Sequence, residues 1–220
     1  DPTRLLMEGV SRTIQTSTSR PSKLTQGQQN EQADFAAAVL GSTEDVWGKI
    51  IRNYPPAGMV LYSGATDTAC GTGQSAMGPV YCPLDRSVYL ALDFFYDLEH
   101  KLGAGGDFAR AYVIAHEVGH HIQNLQGLLS GRRTNADSVK TELMADCYAG
   151  VWAYHVNEFG AVEDGDLAEA INAAGQGGDD RLQEKSQGYA VPDSFTHGSA
   201  DQRMKAFKRG FDGGNPRACQ

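Results

Sequence analysis

The residues with the clearest chemical potential lie in one stretch, YVIAHEVGHHIQ, at residues 112–123. His116 and His120 are four positions apart, so on a helix they stand one turn apart and about 40° around the axis. Two imidazoles placed in this way can bind one metal ion. Glu117, about 100° from His116, would face a water molecule on that ion rather than the ion itself. The pattern His-Glu-x-x-His therefore predicts a zinc site with a glutamate as general base.

His121, the third histidine of this stretch, fails the same geometric test. On a helix it lies about 100° past His120, which turns it away from the predicted metal ion. We therefore expect His121 to be a helix-surface residue, or one that supports the ligands, and not to be a ligand itself.

A catalytic zinc site needs three protein ligands, and the third must come from another element. The segment TELMADCYAGVWAYH carries Glu142 and Asp146 on one helical face, beside alanines that allow two helices to approach closely. We therefore predict Glu142 as the third ligand. Asp146 would accept a hydrogen bond from a ligating imidazole, with His116 as the favoured partner. One Zn²⁺ is the expected cofactor, although Mn²⁺, Fe²⁺ or Co²⁺ could occupy the same donors.

His197 is a further candidate for chemistry. It lies in PDSFTHGSADQ, a loop that precedes a helix for which Ser199 is the predicted N-cap. Loops carry reactive groups more often than helix interiors do. His197 could donate a hydrogen bond to the oxyanion that forms at a scissile carbonyl, and the alternative is a local structural role.

The elements that must position these residues follow from turn residues and apolar periodicity. Ser, Thr and Gln dominate residues 11–32, which predicts an extended or mobile arm at residues 1–32 and a domain at residues 33–220. The predicted helices are EQADFAAAVLG and STEDVWGKIIRN, separated at Gly41, then DFFYDLEHKLG, residues 107–126, residues 137–159, EDGDLAEAINAAGQGG and SADQRMKAFKRGF. The predicted strands are GMVLYSG, GPVYCP and RSVYLAL, with a hairpin turn at PLDR. These elements indicate an α+β fold.

Charge and hydropathy exclude some partners. The 220 residues carry a net charge of −8 without a basic patch, so a nucleic-acid partner is not expected. The sequence has no run of eighteen apolar residues, and its start, DPTRLLMEGV, lacks an apolar stretch after a basic one. We therefore expect neither a transmembrane helix nor a signal peptide in this sequence.

The four cysteines are Cys70, Cys82, Cys147 and Cys219, and none has the Cys-x-x-Cys spacing of a zinc ribbon. A bridge between Cys70 and Cys82 is favoured over free thiols, because it would close the glycine-rich CGTGQSAMGPVYC and stabilise the fold by about 3 kcal/mol. A bridge between Cys147 and Cys219 is left open. Disulfides would indicate a location outside the cytoplasm.

Several segments, in their order along the chain, resemble one known family. His-Glu-x-x-His followed by Glu-x-x-x-Asp is similar to the gluzincin branch of zinc peptidases. A closer resemblance, over roughly residues 35–219, is to the bacterial putative neutral zinc metallopeptidase family. The segments that carry it are CGTGQSAMGPVYCPLDRSVYLALDFF, FARAYVIAHEVGHHIQNLQG, ELMADCYAGVWA, GDDRLQ and SFTHGSADQRMKAFKRGF.

This resemblance implies a zincin-like core, in which a small sheet packs with an active-site helix and a glutamate-bearing helix. It also implies an extracytoplasmic protein, whether periplasmic, secreted or membrane-anchored. Family members usually carry an N-terminal membrane-spanning segment, so anchoring is expected only through a segment absent from this chain.

The residues and the resemblance together predict a zinc metallopeptidase, most simply an endopeptidase, that acts on peptides or proteins. Glu117 would activate the zinc-bound water, and an extended substrate would pair with a sheet edge supplied by SAMGPVY or SVYLA. One alternative is a binding module that has lost catalysis and keeps zinc for stability. Another is a zinc hydrolase of a different amide, such as a cell-wall cross-link. The oligomeric state is left open.

Overall fold

The computed structural model describes residues 14–18, 24–74, 78–103, 105–131, 134–163 and 165–220. The strands are β1 (Ile14–Thr18), β2 (Gly58–Ser63), β3 (Ala65–Thr68), β4 (Gly71–Gln74), β5 (Val80–Cys82) and β6 (Ser87–Ala91). The helices are α1 (Gln26–Ile50), α2 (Leu92–Leu102), α3 (Asp107–Leu125), α4 (Asn135–Glu158), α5 (Asp166–Gln176), α6 (Asp179–Gln187) and α7 (Ala200–Gly213). The fold is α+β and mostly helical, as predicted. None of the helices in these ranges has the length and apolarity needed to span a bilayer.

The main sheet has four strands in the order β1-β2-β6-β5, and β3 and β4 form a separate two-stranded ribbon. β2 pairs in parallel with both β1 and β6, whereas β5 and β6 form the predicted antiparallel hairpin. Of the two segments proposed to supply a free edge, SVYLA is wrong because it forms β6, between β2 and β5. Val80 and Tyr81, the last two residues of SAMGPVY, belong to the outer strand β5, and residues 75–77 of this segment lie outside the described residues.

Helix α1 is continuous, whereas the sequence predicts two helices divided at Gly41. The side chain of Ser42 donates to the carbonyl of Val39, so it bonds within the helix and does not cap a new one. A Cβ atom at Gly41 would meet nothing within 4 Å, so glycine there is neither a turn nor a close contact. Burial of Val46 and Trp47 keeps the helix intact through this position, because packing overrides the weak helix propensity of glycine.

The predicted arm at residues 1–32 contains regular structure where it is described. β1 is an extended strand of the main sheet, but residues 26–32 are helical and not extended. Thr25 and Gln28 form a capping box that starts α1, and glutamines are good helix formers in spite of their polarity. Helix α1 runs across the predicted boundary at residue 33, and the division into an arm and a domain stays a prediction.

Helices α3, α4 and α7 pack closely through small residues. A Cβ atom at Gly119 of α3 would lie 2.8 Å from the carbonyl oxygen of Ala145 in α4. At Gly150 of α4 and Gly210 of α7, a Cβ atom would overlap the backbone of the facing helix. Glycine therefore permits an approach that no other residue allows. The contact at Gly119 brings the face of α4 that carries Glu142 against the histidines of α3.

Two disulfides link distant segments. Cys70, between β3 and β4, is bonded to Cys82 at the end of β5, and Cys147 of α4 is bonded to Cys219 in the short 3-10 helix Pro216–Cys219. The bridges close separations of 12 and 72 residues. In the chain-entropy description they stabilise the fold by about 3 and about 4 kcal/mol. Two bridges indicate an oxidising, extracytoplasmic environment.

Candidate metal centre

The structure brings together the three residues predicted as metal ligands. His116 and His120 lie on consecutive turns of α3, and Glu142 faces them from α4. Nε2 of His116 is 3.1 Å from Oε2 of Glu142, and Nε2 of His120 is 3.4 Å from Oε1. One ligand atom from each residue lies within 4.8 Å of the others. Both imidazoles therefore present the same ring nitrogen to one carboxylate.

This donor set fits a zinc ion. Zn–N and Zn–O bonds are about 2.0–2.2 Å long, so the ligand atoms of a tetrahedral site stand about 3.3 Å apart. The two imidazoles stand 3.1 and 3.4 Å from different oxygens of Glu142, near that separation, and one ligand atom from each residue lies within 4.8 Å of the others. Two imidazoles and one carboxylate also leave a fourth position for water or substrate. The cluster therefore suggests zinc binding.

Asp146 orients His116 from the side opposite Glu142. Its carboxylate is fully buried, and Nδ1 of His116 donates to Oδ1 over 2.8 Å. Because Asp146 engages Nδ1, Nε2 is left to face Glu142. The structure thus brings Asp146 to its predicted partner. Burial alone would raise the pKa of Asp146, but the charges of Arg203 and His116 outweigh it and lower the pKa.

Arg203 and Tyr112 complete this network, and neither was predicted from the sequence. The Arg203 guanidinium donates to both oxygens of Asp146, over 2.8 and 2.9 Å, and the Tyr112 hydroxyl donates to Oδ1. A sequence signal existed for Arg203, since it shares a face of α7 with buried Ala206 and Phe207. An arginine on the apolar face of a helix requires a buried partner.

The pKa values of the ligand side chains are shifted in opposite directions by their neighbours. Burial lowers the pKa of His116, but the charge and hydrogen bond of Asp146 outweigh it and raise that pKa to about 10. Burial alone would raise the pKa of Glu142, but His120 and His116 hold it well below its usual range. Both directions favour an imidazolium opposite a carboxylate in the metal-free protein, and a metal ion would take the place of that proton.

Glu117 lies in the same cavity as the three ligands. The cavity has a volume of about 510 Å³ and also contains His197 and Arg203 in its lining. Burial raises the pKa of Glu117, while the charges of His120 and His116 limit the rise. A carboxylate with a raised pKa is a more effective proton acceptor near neutral pH than an exposed one.

Gln123 orients His120 and was missed in the sequence. Nδ1 of His120 is 2.9 Å from Oε1 of Gln123, whose amide nitrogen donates to the carbonyl oxygen of Thr141 over 2.6 Å. The Gln123 side chain is buried, with 1% relative exposure. It therefore fixes the imidazole and also joins α3 to the residue that precedes Glu142. The available signal was a polar residue three positions after His120, on the same helical face.

Gln123→Met should weaken zinc binding by roughly ten- to a hundredfold, because it keeps the approximate shape but removes the acceptor that orients His120. Competition with a chromophoric chelator measures this affinity. Gln126→Met is the matched control, since Gln126 directly follows α3 and its side chain accepts a hydrogen bond from Tyr148 instead of contacting a metal ligand among the contacts described. Equal zinc affinity in wild type and Gln123→Met would contradict the orienting role.

His197 lies at the rim of the cavity, with 49% of its side chain exposed. Asp179 lies at the start of α6. Its Oδ2 accepts hydrogen bonds from the backbone amides of Thr196, His197 and Gly198, and its Oδ1 is 3.1 Å from Nδ1 of His197. Asp179 therefore holds the loop and engages one ring nitrogen, so Nε2 is the nitrogen that could donate into the cavity. A part for His197 in chemistry stays a prediction.

His121 is fully buried, so the predicted helix-surface position is wrong. Its Nε2 is 2.7 Å from the carbonyl oxygen of Pro55, and its Nδ1 is 2.8 Å from the Tyr81 hydroxyl. Burial lowers the pKa of His121, which favours the neutral ring. The partners lie 66 and 40 residues away along the chain, and helical periodicity alone cannot identify them.

An α+β protein with two histidines and a glutamate on packed helices has the donor set of the zinc hydrolase class. The family described as "Putative neutral zinc metallopeptidase" matches residues 1–220, and the chain belongs to this family. The chain is 52% identical over 205 residues to "Uncharacterized protein YpfJ" of Escherichia coli (strain K12), which covers 87% of the chain and 71% of that protein. It is 42% identical over 198 residues to "Uncharacterized protein Rv2575" of Mycobacterium tuberculosis (strain ATCC 25618 / H37Rv). This match covers 83% of the chain and 68% of that protein. No solved structure matches the chain significantly.

Proposed function

We propose that this protein is an extracytoplasmic zinc endopeptidase with a zincin-like core. The observation that carries the proposal is the convergence of His116, His120 and Glu142 within 4.8 Å, in a cavity that also holds Glu117. Membership of the family supports the same class of function. The two disulfides support a location in the periplasm, in the medium or at a membrane surface.

Each polar residue of the cavity has a distinct part in this proposal. His116 and His120 hold the ion together with Glu142. When bound, zinc lowers the pKa of a water molecule to about 7 and polarises the substrate carbonyl. Glu117 accepts a proton from the attacking water and delivers it to the leaving nitrogen. His197 donates a hydrogen bond to the carbonyl oxygen as negative charge develops there.

Strand β5 is the proposed binding edge for the substrate. It is the outer strand of the main sheet, and Pro79, Val80, Tyr81 and Pro83 line the cavity. An extended peptide can add to such an edge through backbone hydrogen bonds, which do not depend on its side chains. The substrate class is therefore an unfolded or extended segment of polypeptide.

The burial of Glu117 supports a catalytic role for the protein over the alternative of a binding module that keeps zinc for stability. Its carboxylate is buried, with 8% relative exposure, although it lies outside the cluster of three metal-binding groups. Burial of a carboxylate is unfavourable, and a buried carboxylate with a raised pKa in a cavity is characteristic of an active site.

The proposed function predicts that the zinc-loaded protein cleaves unfolded proteins, that a chelator stops the cleavage, and that added zinc restores it. Peptide fragments of digests, identified by mass spectrometry, measure this activity. Cross-linked cell-wall peptides belong in the same substrate panel, because cleavage of those alone would show a hydrolase of another amide. A protein that binds zinc but cleaves nothing in the panel would instead be a binding module.

A further inference from the structure

The side of α3 next to the metal ligands is bonded directly to strand β5. The Tyr81 hydroxyl of β5 is 2.8 Å from Nδ1 of His121, and Asn124 donates its side-chain amide to the same hydroxyl over 2.9 Å. The Asn124 amide also donates to the carbonyl oxygen of Pro83 over 3.1 Å. Two residues of the helix therefore hold both the side chain of the strand and the backbone that follows it.

The direction of each hydrogen bond in this network is determined by its anchor at Pro55. A carbonyl oxygen only accepts, so Nε2 of His121 carries the proton and donates to Pro55 over 2.7 Å. In the neutral ring Nδ1 must then accept from Tyr81, whose oxygen accepts in turn from Asn124. The rings of Tyr54 and Tyr81 contact the imidazole edge-on, with centroids at 5.7 and 5.5 Å. The ring of His121 therefore has one orientation that satisfies all its contacts.

Helical geometry places this network beside the metal ligands. His121 follows His120 with a rise of about 1.5 Å and a rotation of about 100°, and Asn124 is one turn beyond His120. His120 and the two residues that bond to β5, His121 and Asn124, therefore lie on adjacent sides of the same two turns of α3. Tyr81 and Pro83 line the cavity in which the ligands lie. A single rigid helix thus sets the distance between the edge of the sheet and the metal site.

The rest of the sheet holds β5 along one edge. The strand has three residues and pairs with β6 on one side, where Tyr81 faces Val88. The Cys70–Cys82 bridge connects it to the β3–β4 ribbon and not to the helix. The contacts with α3 are therefore the ones that link β5 directly to the helix that carries two of the metal ligands.

We propose that Tyr81, His121 and Asn124 are positioning residues that register a β5-bound peptide against the metal site. The kinetic part of this inference rests on the proposed peptidase function. A peptide paired with β5 takes its position from the strand, so a shift of the strand moves the scissile carbonyl relative to Glu117. Displacements of about 1 Å can lower the rate of an enzyme by about a hundredfold.

Tyr81→Phe tests the proposal, because it keeps the ring in the cavity wall and removes the hydroxyl that joins His121 to Asn124. Tyr89→Phe is the matched control, since Tyr89 lies on β6 and donates its hydroxyl to Asp85 over 2.7 Å. We expect both variants to bind one zinc ion with wild-type affinity. Tyr81→Phe should lower kcat/KM for an extended peptide at least about tenfold, mainly through kcat, whereas Tyr89→Phe should stay within about twofold.

Two further measurements test the hydrogen-bond network separately from the peptidase function. Asn124→Ala releases Pro83 but keeps the contact between Tyr81 and His121, so a smaller loss in the same direction is expected. Amide hydrogen exchange at residues 80–82 should be faster in Tyr81→Phe than in Tyr89→Phe, whether or not any peptide is cleaved. If wild type cleaves peptides and Tyr81→Phe and Tyr89→Phe lose activity equally, the positioning role is overturned. If wild type cleaves nothing, the peptidase function fails, and equal exchange rates at β5 would overturn the network as well.

Discussion

Glu117→Gln should retain one zinc ion per chain and lose peptide cleavage by about a hundred- to ten-thousandfold, the range that a positioned general base contributes. Glutamine has nearly the shape of glutamate, so it fills the same buried space in the cavity lining. It cannot accept the proton of the attacking water at neutral pH. The metal cluster consists of other residues, so zinc should stay bound.

Metal analysis and initial rates on one fluorogenic peptide measure the two halves of this result. Glu184→Gln, a substitution of the same type at an exposed position of α6, is the control and should leave both unchanged. Cleavage at a rate near that of wild type would eliminate Glu117 as the base. Loss of zinc together with activity would show that Glu117 supports the ion instead.

Glu142→Ala should reduce the zinc content from about one ion per chain to a small fraction after dialysis. The substitution removes the only predicted ligand outside α3 and leaves two imidazoles with no anionic ligand beside them. Two neutral ligands from one helix do not complete the three-ligand set of a catalytic zinc site. Atomic absorption on the dialysed protein gives the result without any assay of activity.

Glu158→Ala is the control for Glu142→Ala, because Glu158 lies on the same helix and its exposed carboxylate pairs with His155. It should keep a full complement of zinc. If Glu142→Ala also keeps its zinc, Glu142 is not a ligand, and the contacts of 3.1 and 3.4 Å are only hydrogen bonds between neighbouring helices.

The parts of the site that lie within one helix follow from spacing alone. His116 and His120 repeat at the period of a helix, and so do Glu142 and Asp146, so local geometry places each pair on one face. Bringing the two faces together needed a further signal, namely the small residues of α4. The structure contains that close packing and adds Gly119, opposite Ala145.

The residues that the sequence analysis missed make contacts across long distances in the chain. Gln123, Arg203 and Asp179 act through hydrogen bonds that join different helices or a helix and a loop. Nothing in the local pattern around these residues identifies these distant partners, because packing selects them, and for Gln123 the spacing points only to its near partner, His120. The errors at Gly41 and His121 have the same origin, since burial by distant segments decided both.

Helix α7 supplies a part of the site that is synthesised after the metal-binding side chains. Arg203 on this helix neutralises Asp146, and the Cys147–Cys219 bond fastens the segment after α7 to α4. Ribosomes make the chain from its N-terminus, so the metal-binding side chains emerge before this counter-charge. A nascent chain that has made only α3 and α4 therefore has His116 as a partner for Asp146 but lacks Arg203. The hydrogen-bond network around Asp146 is therefore complete only once α7 has been made, and the Cys147–Cys219 bond can fasten it only after thiol oxidation.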